Sequence, residues 1–284
     1  MNAQAQPEAL SPQPSAVSAA PVTVELCRDA DVLDAILHHP EVGDRTRHDE
    51  MPPLAEMTLK PLIQGGHGAF AVLARVRGEH AGFWLVLAKG ASVFEIHTNF
   101  LPQYRGSKAL LASRLALDWM FLNTAATRLT SFCPACLPEA AQYAKWCGLK
   151  TDFVRAAAWP KGGKRHDVHH VSLTLAEWAR TAWPRHAAEG LAFHHELFSH
   201  VDEGHHENDD NHNGMVGIAG KMLLAGHGHK AQSFYNDWAA QSGYAPFTYL
   251  GSRRGWQLLD IGTSIIAVRQ EADGQIRVIG FQPH

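Results

Sequence analysis

Glu95 and His97 stand two residues apart in the segment 93–98, VFEIHT, where apolar and polar residues alternate at the period of a strand. Side chains at that spacing leave a strand on the same face, so a carboxylate and an imidazole are directed toward one cleft. Such a pair can take a proton from a nucleophile. The plainer alternative is that Glu95 pairs with a surface base and His97 packs. Pro102 then ends the ladder, and Arg105-Gly106-Ser107-Lys108-Ala109 leads into an apolar-periodic run over 110–121. A glycine turn that opens a helix offers unpaired backbone N–H groups and the positive end of the helix dipole, a combination suited to phosphate or pyrophosphate.

The elements that must position these residues are readable on both sides. Residues 22–26 alternate as a strand, and Asp29 is placed to cap a short helix over 30–38 that Pro40 ends. The stretches 70–76 and 81–87 form a hairpin around Arg77-Gly78-Glu79-His80, so that with 93–98 they make an antiparallel three-stranded sheet. The helix over 108–123 carries Leu111, Leu115, Trp119 and Leu122 at three- and four-residue spacing, which predicts the face turned to that sheet. A strand over 128–132, a helix over 138–146 stopped by Gly148, and strands over 150–155 and 171–175 follow, with 160–165 as a basic, flexible turn.

Over 94–159 the sequence resembles the acyl-CoA-binding half of the GNAT superfamily of N-acetyltransferases, in particular the divergent members carried by tailed bacteriophages. The resemblance lies in His97-Thr98-Asn99-Phe100-Leu101-Pro102, Arg105-Gly106, Trp119-Met120-Phe121, Arg128-Leu129-Thr130, Pro134, Gly148-Leu149, Phe153, Arg155 and Trp159. It implies an α/β (α+β) fold with a GNAT-like mixed, mostly antiparallel sheet flanked by helices. It also implies acetyl-CoA as substrate, with the pantetheine against the backbone of Phe100 and Leu101 and the pyrophosphate on the N–H groups of Arg105, Gly106, Ser107, Lys108 and Ala109. The partner would be an unknown amine acceptor, with Glu95 or His97 as the base. Members of the family commonly place an asparagine before the next helix and a tyrosine one turn into it, where it protonates the departing thiolate. Here those positions hold Leu137 and Ala144, with Tyr143 one residue away as the remaining candidate. These departures leave a rival reading open: a phage virion or assembly component, partnered by phage structural proteins, that keeps the fold without turnover.

Composition narrows the rest. The 284 residues are 45% apolar with a net charge of −3, enough for a substantial core and without an electrostatic case for nucleic acid. No apolar run reaches bilayer-spanning length and no signal-like start is present, which predicts a cytoplasmic protein, or one in a virion, with no membrane partner. Residues 1–21, rich in Ala, Pro, Gln and Ser, are expected to be a disordered tail, 22–184 the acetyltransferase-like domain, and 185–284 a small His-rich α+β domain. The four cysteines are expected to be structural and reduced; Cys133 and Cys136 have redox or zinc-site spacing, but a zinc site would need a second pair. The histidines and acids over 194–212 have the composition of a metal site, and Asp209-x-Asn211-x-Asn213-Gly214 matches half of a calcium loop. Its closing glutamate is replaced by Gly220, so a solvated loop and helix cap is expected and no metal is assigned.

Overall fold

The computed structural model describes residues 22–65, 68–198 and 209–281, so the expected tail and most of the His-rich run lie outside the described residues. β1 (Val22–Cys27) leads to α1 (Ala30–Leu37), whose first N–H groups, those of Asp31 and Val32, are accepted by the Asp29 carboxylate as expected. Pro40 does more than stop that helix. It occupies the first turn of α2 (Pro40–Thr46), where its missing N–H is no loss. α3 (Lys60–Gln64) precedes the hairpin of β2 (Ala69–Val76) and β3 (Glu79–Ala88), which turns on Arg77-Gly78 alone, tighter than the four-residue loop expected. β4 (Val93–Phe100), α4 (Ser107–Asn123), β5 (Arg128–Pro134), α5 (Pro138–Trp146), β6 (Lys150–Lys161) and β7 (Lys164–Thr174) complete the first unit.

These strands form one sheet in the order β1-β2-β3-β4-β5-β7-β6, antiparallel throughout except for β4 and β5, which run parallel with α4 as their crossover. Helices cover both faces. On one, Leu33, Leu37 and Leu59 pack against Phe83 and Leu85. On the other, α4 and α5 close over Trp84, Ile96 and Phe100. The face of α4 that packs is not the leucine stripe: Leu111 is exposed and Leu115 and Trp119 are half-buried, whereas Ala109, Ala112, Ala116 and Met120 are buried and Leu122 joins them. Both stripes have helical spacing. The alanines win because a small residue lets the helix axis approach the sheet, and bulk then fills the edges of the contact.

β6 runs well past residue 155, and the expected turn over 160–165 is the tip of the β6–β7 hairpin, with Gly162 and Gly163 between the strands. That tip is held. The backbone N–H groups of Gly162 and Gly163 donate to Asp49 at 3.2 and 3.1 Å, and Lys161 Nζ donates to the Arg47 carbonyl at 2.8 Å.

α6 (Leu175–Phe198) starts on a reciprocal cap. Glu177 N–H donates to Thr174 Oγ1 at 3.3 Å, and Thr174 N–H donates to Glu177 Oε2 at 3.0 Å. Lys150, followed by the Thr174 groups, holds the Glu177 carboxyl at about 2, below its ordinary 4.5. Glu177→Ala is expected to cost about 1 kcal/mol at neutral pH. The thermal midpoint followed by circular dichroism should drop by roughly 2–4 °C. Because the folded-state pKa is lowered, this contribution is complete above pH 4.5 and is lost as the pH falls toward 2, so the deficit of the variant should shrink on acidification.

α6 continues through Pro184, so a boundary placed there falls inside a helix. α7 (Asp210–Leu224), capped by Asp209, and α8 (Gly228–Ser242) follow. β8 (Thr248–Arg253), β9 (Trp256–Asp260), β10 (Ile265–Gln270) and β11 (Ile276–Phe281) then form an antiparallel sheet in the order β11-β10-β9-β8. β8 is the strand that sequence patterning missed. One core runs on from Phe121 and Trp178 through Ile218, Met222 and Tyr235 to Ile266. The fold class is the expected one: a mixed, mostly antiparallel sheet flanked by helices, with a small α+β unit after it. Among the described residues no helix is long and apolar enough to cross a membrane.

Candidate active site

β4 and β5 pair only through Val93↔Arg128, Phe94↔Leu129 and Glu95↔Thr130. Beyond that point β4 keeps β3 as far as Phe100 and β5 keeps β7 as far as Pro134, but the two no longer pair with each other and the sheet opens. Leu101 N–H donates to the Ala81 carbonyl at 3.0 Å, and the Val93 carbonyl accepts from Lys89 N–H at 2.9 Å. The alternation of an antiparallel ladder therefore turns the backbone groups of Thr98 and Phe100 toward the opening. Consistent with this, Ile96 O accepts from Ser131 Oγ at 2.7 Å and Phe100 O from Arg105 Nε at 3.2 Å. The expected pair of Phe100 and Leu101 is thus replaced by Thr98 and Phe100.

A cavity of about 680 Å³ fills the opening. Ile96, Phe100, Ala109 and Ser113 line it from the α4 side; Phe83, Leu85, His97 and Phe132 line it from the α1 and α3 side. It passes through the sheet where the two strands separate, and the helices on both faces complete its wall.

On the α1 and α3 side His97 Nε2 lies 3.1 Å from Glu95 Oε1, and Lys89 Nζ lies 3.1 Å from the same oxygen. The hydrogen bond from His97, then that from Lys89, holds the Glu95 carboxyl at about 2, well below its ordinary 4.5, so it is ionised wherever the protein is folded near neutrality. His97 lines the cavity and Glu95 stands behind it. That division suits an imidazole that meets substrate and a carboxylate that orients it and stabilises its charged form. The His97 ring also meets the edge of Phe132, with centroids 5.0 Å apart.

On the α4 side the helix begins at Gly106, whose φ of 76° a residue with a Cβ resists, and no side chain caps it. Its first intrahelical bond runs from Leu110 N–H to Gly106 O at 3.0 Å, which leaves the N–H groups of Ser107, Lys108 and Ala109 ahead of the ladder. Arg105 is engaged differently from expectation. Its N–H donates to Pro102 O at 3.2 Å, and its guanidinium donates to Phe100 O and to Glu41 O at 2.9 Å, tying the turn to α2. Lys108 Nζ sits 5.4 Å from the centre of the Tyr104 ring, outside the cavity lining.

Tyr143 lines the cavity beside Ala144, and its hydroxyl is hydrogen-bonded to Ser113 Oγ and 3.4 Å from Ala109 O. Burial, with Cys147 beside it, pushes the phenol far up, so it is a hydrogen-bond donor and a reluctant acid. Leu137, Ala144 and the buried Cys133 also line the cavity. Ser113 and Asn99 line the cavity too, although Asn99 enters the sequence analysis only as part of the resemblance and Ser113 not at all. Ser113 was findable as the polar residue one turn after Ala109 on the small-residue stripe of α4. Asn99 was findable as the next residue after Glu95 and His97 on the same strand face. The half calcium loop is a helix start, with Asp209 as its cap, and among the described residues no group of three or more His, Cys, Asp or Glu side chains is placed to hold a metal.

No family model matches this chain, and no curated relative does. Among solved structures, the spermidine N-acetyltransferase of Vibrio cholerae in complex with CoA and spermine is similar at 13% identity over 55% of this chain and 97% of its own, with a TM-score of 0.48. The same organism's spermidine/spermine N-acetyltransferase SpeG in complex with manganese ions is similar at 14% identity over 57% and 96%, with a TM-score of 0.47. In this chain itself, the strand order, the parallel pair among antiparallel neighbours and the helical crossover after a glycine turn make the sheet GNAT-like.

Proposed function

We propose that this protein is an N-acetyltransferase of the GNAT type that binds acetyl-CoA on the α4 side of the sheet and an amine on the His97 side. The observation that carries this reading is the cavity through the sheet, with an uncapped helix start at one side and an imidazole–carboxylate pair at the other. The N–H groups of Ser107, Lys108 and Ala109 would receive the pyrophosphate, and the backbone groups of Thr98 with the N–H of Phe100 the pantetheine. His97 takes the proton that an ammonium must lose. The amine nitrogen then forms a C–N bond to the thioester carbonyl carbon, the C–S bond breaks with its electron pair on sulfur, the new amide nitrogen gives up its second proton to water, and the thiolate takes a proton from solvent with Tyr143 as a hydrogen-bond donor beside it.

Isothermal titration with acetyl-CoA tests the reading. Saturable binding is expected. Gly106→Val, which strains the left-handed turn, should weaken it about tenfold. No heat at millimolar ligand would overturn the cofactor assignment and leave only the fold. The rival reading, a phage virion or assembly component without turnover, is supported by Leu137 and Ala144, which face the cavity where the resembled family has polar groups. Binding of acetyl-CoA with no thiol release against any amine would favour it.

A further inference from the structure

The acceptor side of the cavity carries a chemical signature of its own. Its wall is built from Phe83 and Leu85 of β3 and from Leu37 and Leu59 across from them, all buried and apolar, with Met51 and Met57 at the rim. A run of rings continues that wall: His97 meets Phe132 at 5.0 Å between centroids, Phe132 meets Trp159 at 5.7 Å, and Trp159 meets His48 at 4.9 Å. Two polar atoms in it, Asn99 Oδ1 and Trp159 Nε1, are buried with no hydrogen-bond partner. Charge is scarce. Among the described residues lining the cavity, Glu139 supplies the carboxylate, and it is bound to Arg45. Arg105 is a second lining cation, and Glu95 lies behind His97 outside the lining.

We infer, on the basis of the acetyl-transfer reading above, that the acceptor is a primary amine carried on an apolar body the size of an aromatic ring, and not a polyamine. A polyamine brings further ammonium groups that must keep water or find carboxylates, and among the described lining residues the one carboxylate, Glu139, is already paired with Arg45. An aromatic body loses only its contact with water on entering and gains edge and face contacts with Phe132 and Trp159. The thioether chains of Met51 and Met57 conform to whatever shape it presents. The one charged group of such an acceptor loses its proton to His97, so the acceptor itself enters the step neutral, with the charge left on the ring beside Glu95, as the C–N bond forms and the C–S bond breaks with its electrons on sulfur.

The test is thiol release from acetyl-CoA by the full chain with tryptamine, phenethylamine, butylamine and spermidine as acceptors, alongside titration of acetyl-CoA. The aryl amines are expected to exceed spermidine by about 100-fold in kcat/KM, with butylamine between them. Trp159→Ala should raise KM for tryptamine about tenfold with kcat and acetyl-CoA affinity nearly unchanged, and Trp159→Phe should restore most of it. Spermidine equal to or better than tryptamine would overturn this inference while leaving acetyl transfer intact. Failure of acetyl-CoA to bind, or binding without thiol release from any amine, would overturn the transfer reading and this inference with it.

Discussion

His97→Ala is expected to lower kcat for amine acetylation by about 10²–10⁴-fold, with acetyl-CoA affinity unchanged. The loss is large because, of the two paired groups, His97 is the one in the cavity wall and Glu95 is not. With Nε2–H donating to Glu95 Oε1 across 3.1 Å, Nδ1 is the nitrogen left to accept the proton of the ammonium. Glu95 acts through that ring. Held at about 2 by the hydrogen bonds from His97 and Lys89, it is too weak a base to work by itself, yet its fixed charge favours the imidazolium that forms. Glu95→Gln should therefore cost less, about tenfold in kcat with little change in KM. Equal rates in wild type and both variants would end the assignment. Stability carries its own signature. The lowered folded-state pKa of Glu95 means its contribution is complete above pH 4.5 and disappears as the pH drops toward 2, so the glutamine variant should lose less stability on acidification than the wild type.

Gly190→Val is expected to be the most damaging single change to the fold, at about 3 kcal/mol or more, seen as a collapse of the thermal midpoint or loss of folded protein on expression. α6 and α7 touch backbone to backbone. A Cβ at Gly190 would lie 1.5 Å from the Asn213 carbonyl oxygen and 2.9 Å from Gly217 N. One at Gly217 would lie 2.6 Å from the His186 carbonyl oxygen, and one at Gly214 would lie 2.5 Å from Trp183 Cβ. None of the backbone atoms can step aside without moving a helix, and α7 is buried along most of its length in the core shared with Trp178, Met222 and Ile266. Gly190→Ala separates this from an effect of side-chain bulk. It too meets the Asn213 carbonyl and should lose most of the same stability, whereas Gly226→Ala, with nothing within 4 Å of its Cβ but a φ of 87°, should cost only the backbone strain of about 1 kcal/mol. Wild-type melting of Gly190→Ala would show that the two helices can part freely.

Local chemistry was legible in the chain wherever one short segment decides the outcome. Asp29 and Asp209 cap the helices they precede, Gly148 follows the end of α5 with a φ of 90°, and the alternation over 93–98 is a strand that sets Glu95 and His97 side by side. The fold class followed from these elements in order. What only the tertiary structure decided is the opening between β4 and β5. The alternation does falter there, at His97-Thr98-Asn99 in β4 and Thr130-Ser131 in β5, but a polar run does not say that the β4–β5 ladder stops after Glu95↔Thr130 while β4 keeps β3 and β5 keeps β7 on their other edges. The cavity that results draws its wall from Leu37 to Trp159, segments whose proximity no periodicity encodes. The stripe of α4 was misjudged for a related reason: Leu111 and Ala112 both lie on helical repeats, and the choice between bulk and close approach belongs to the sheet beneath. The engagement of Arg105 with Glu41 and Phe100 likewise depends on α2 lying across the turn. Sequence determines which groups a segment can offer, and packing determines which of those offers are already taken by another part of the chain.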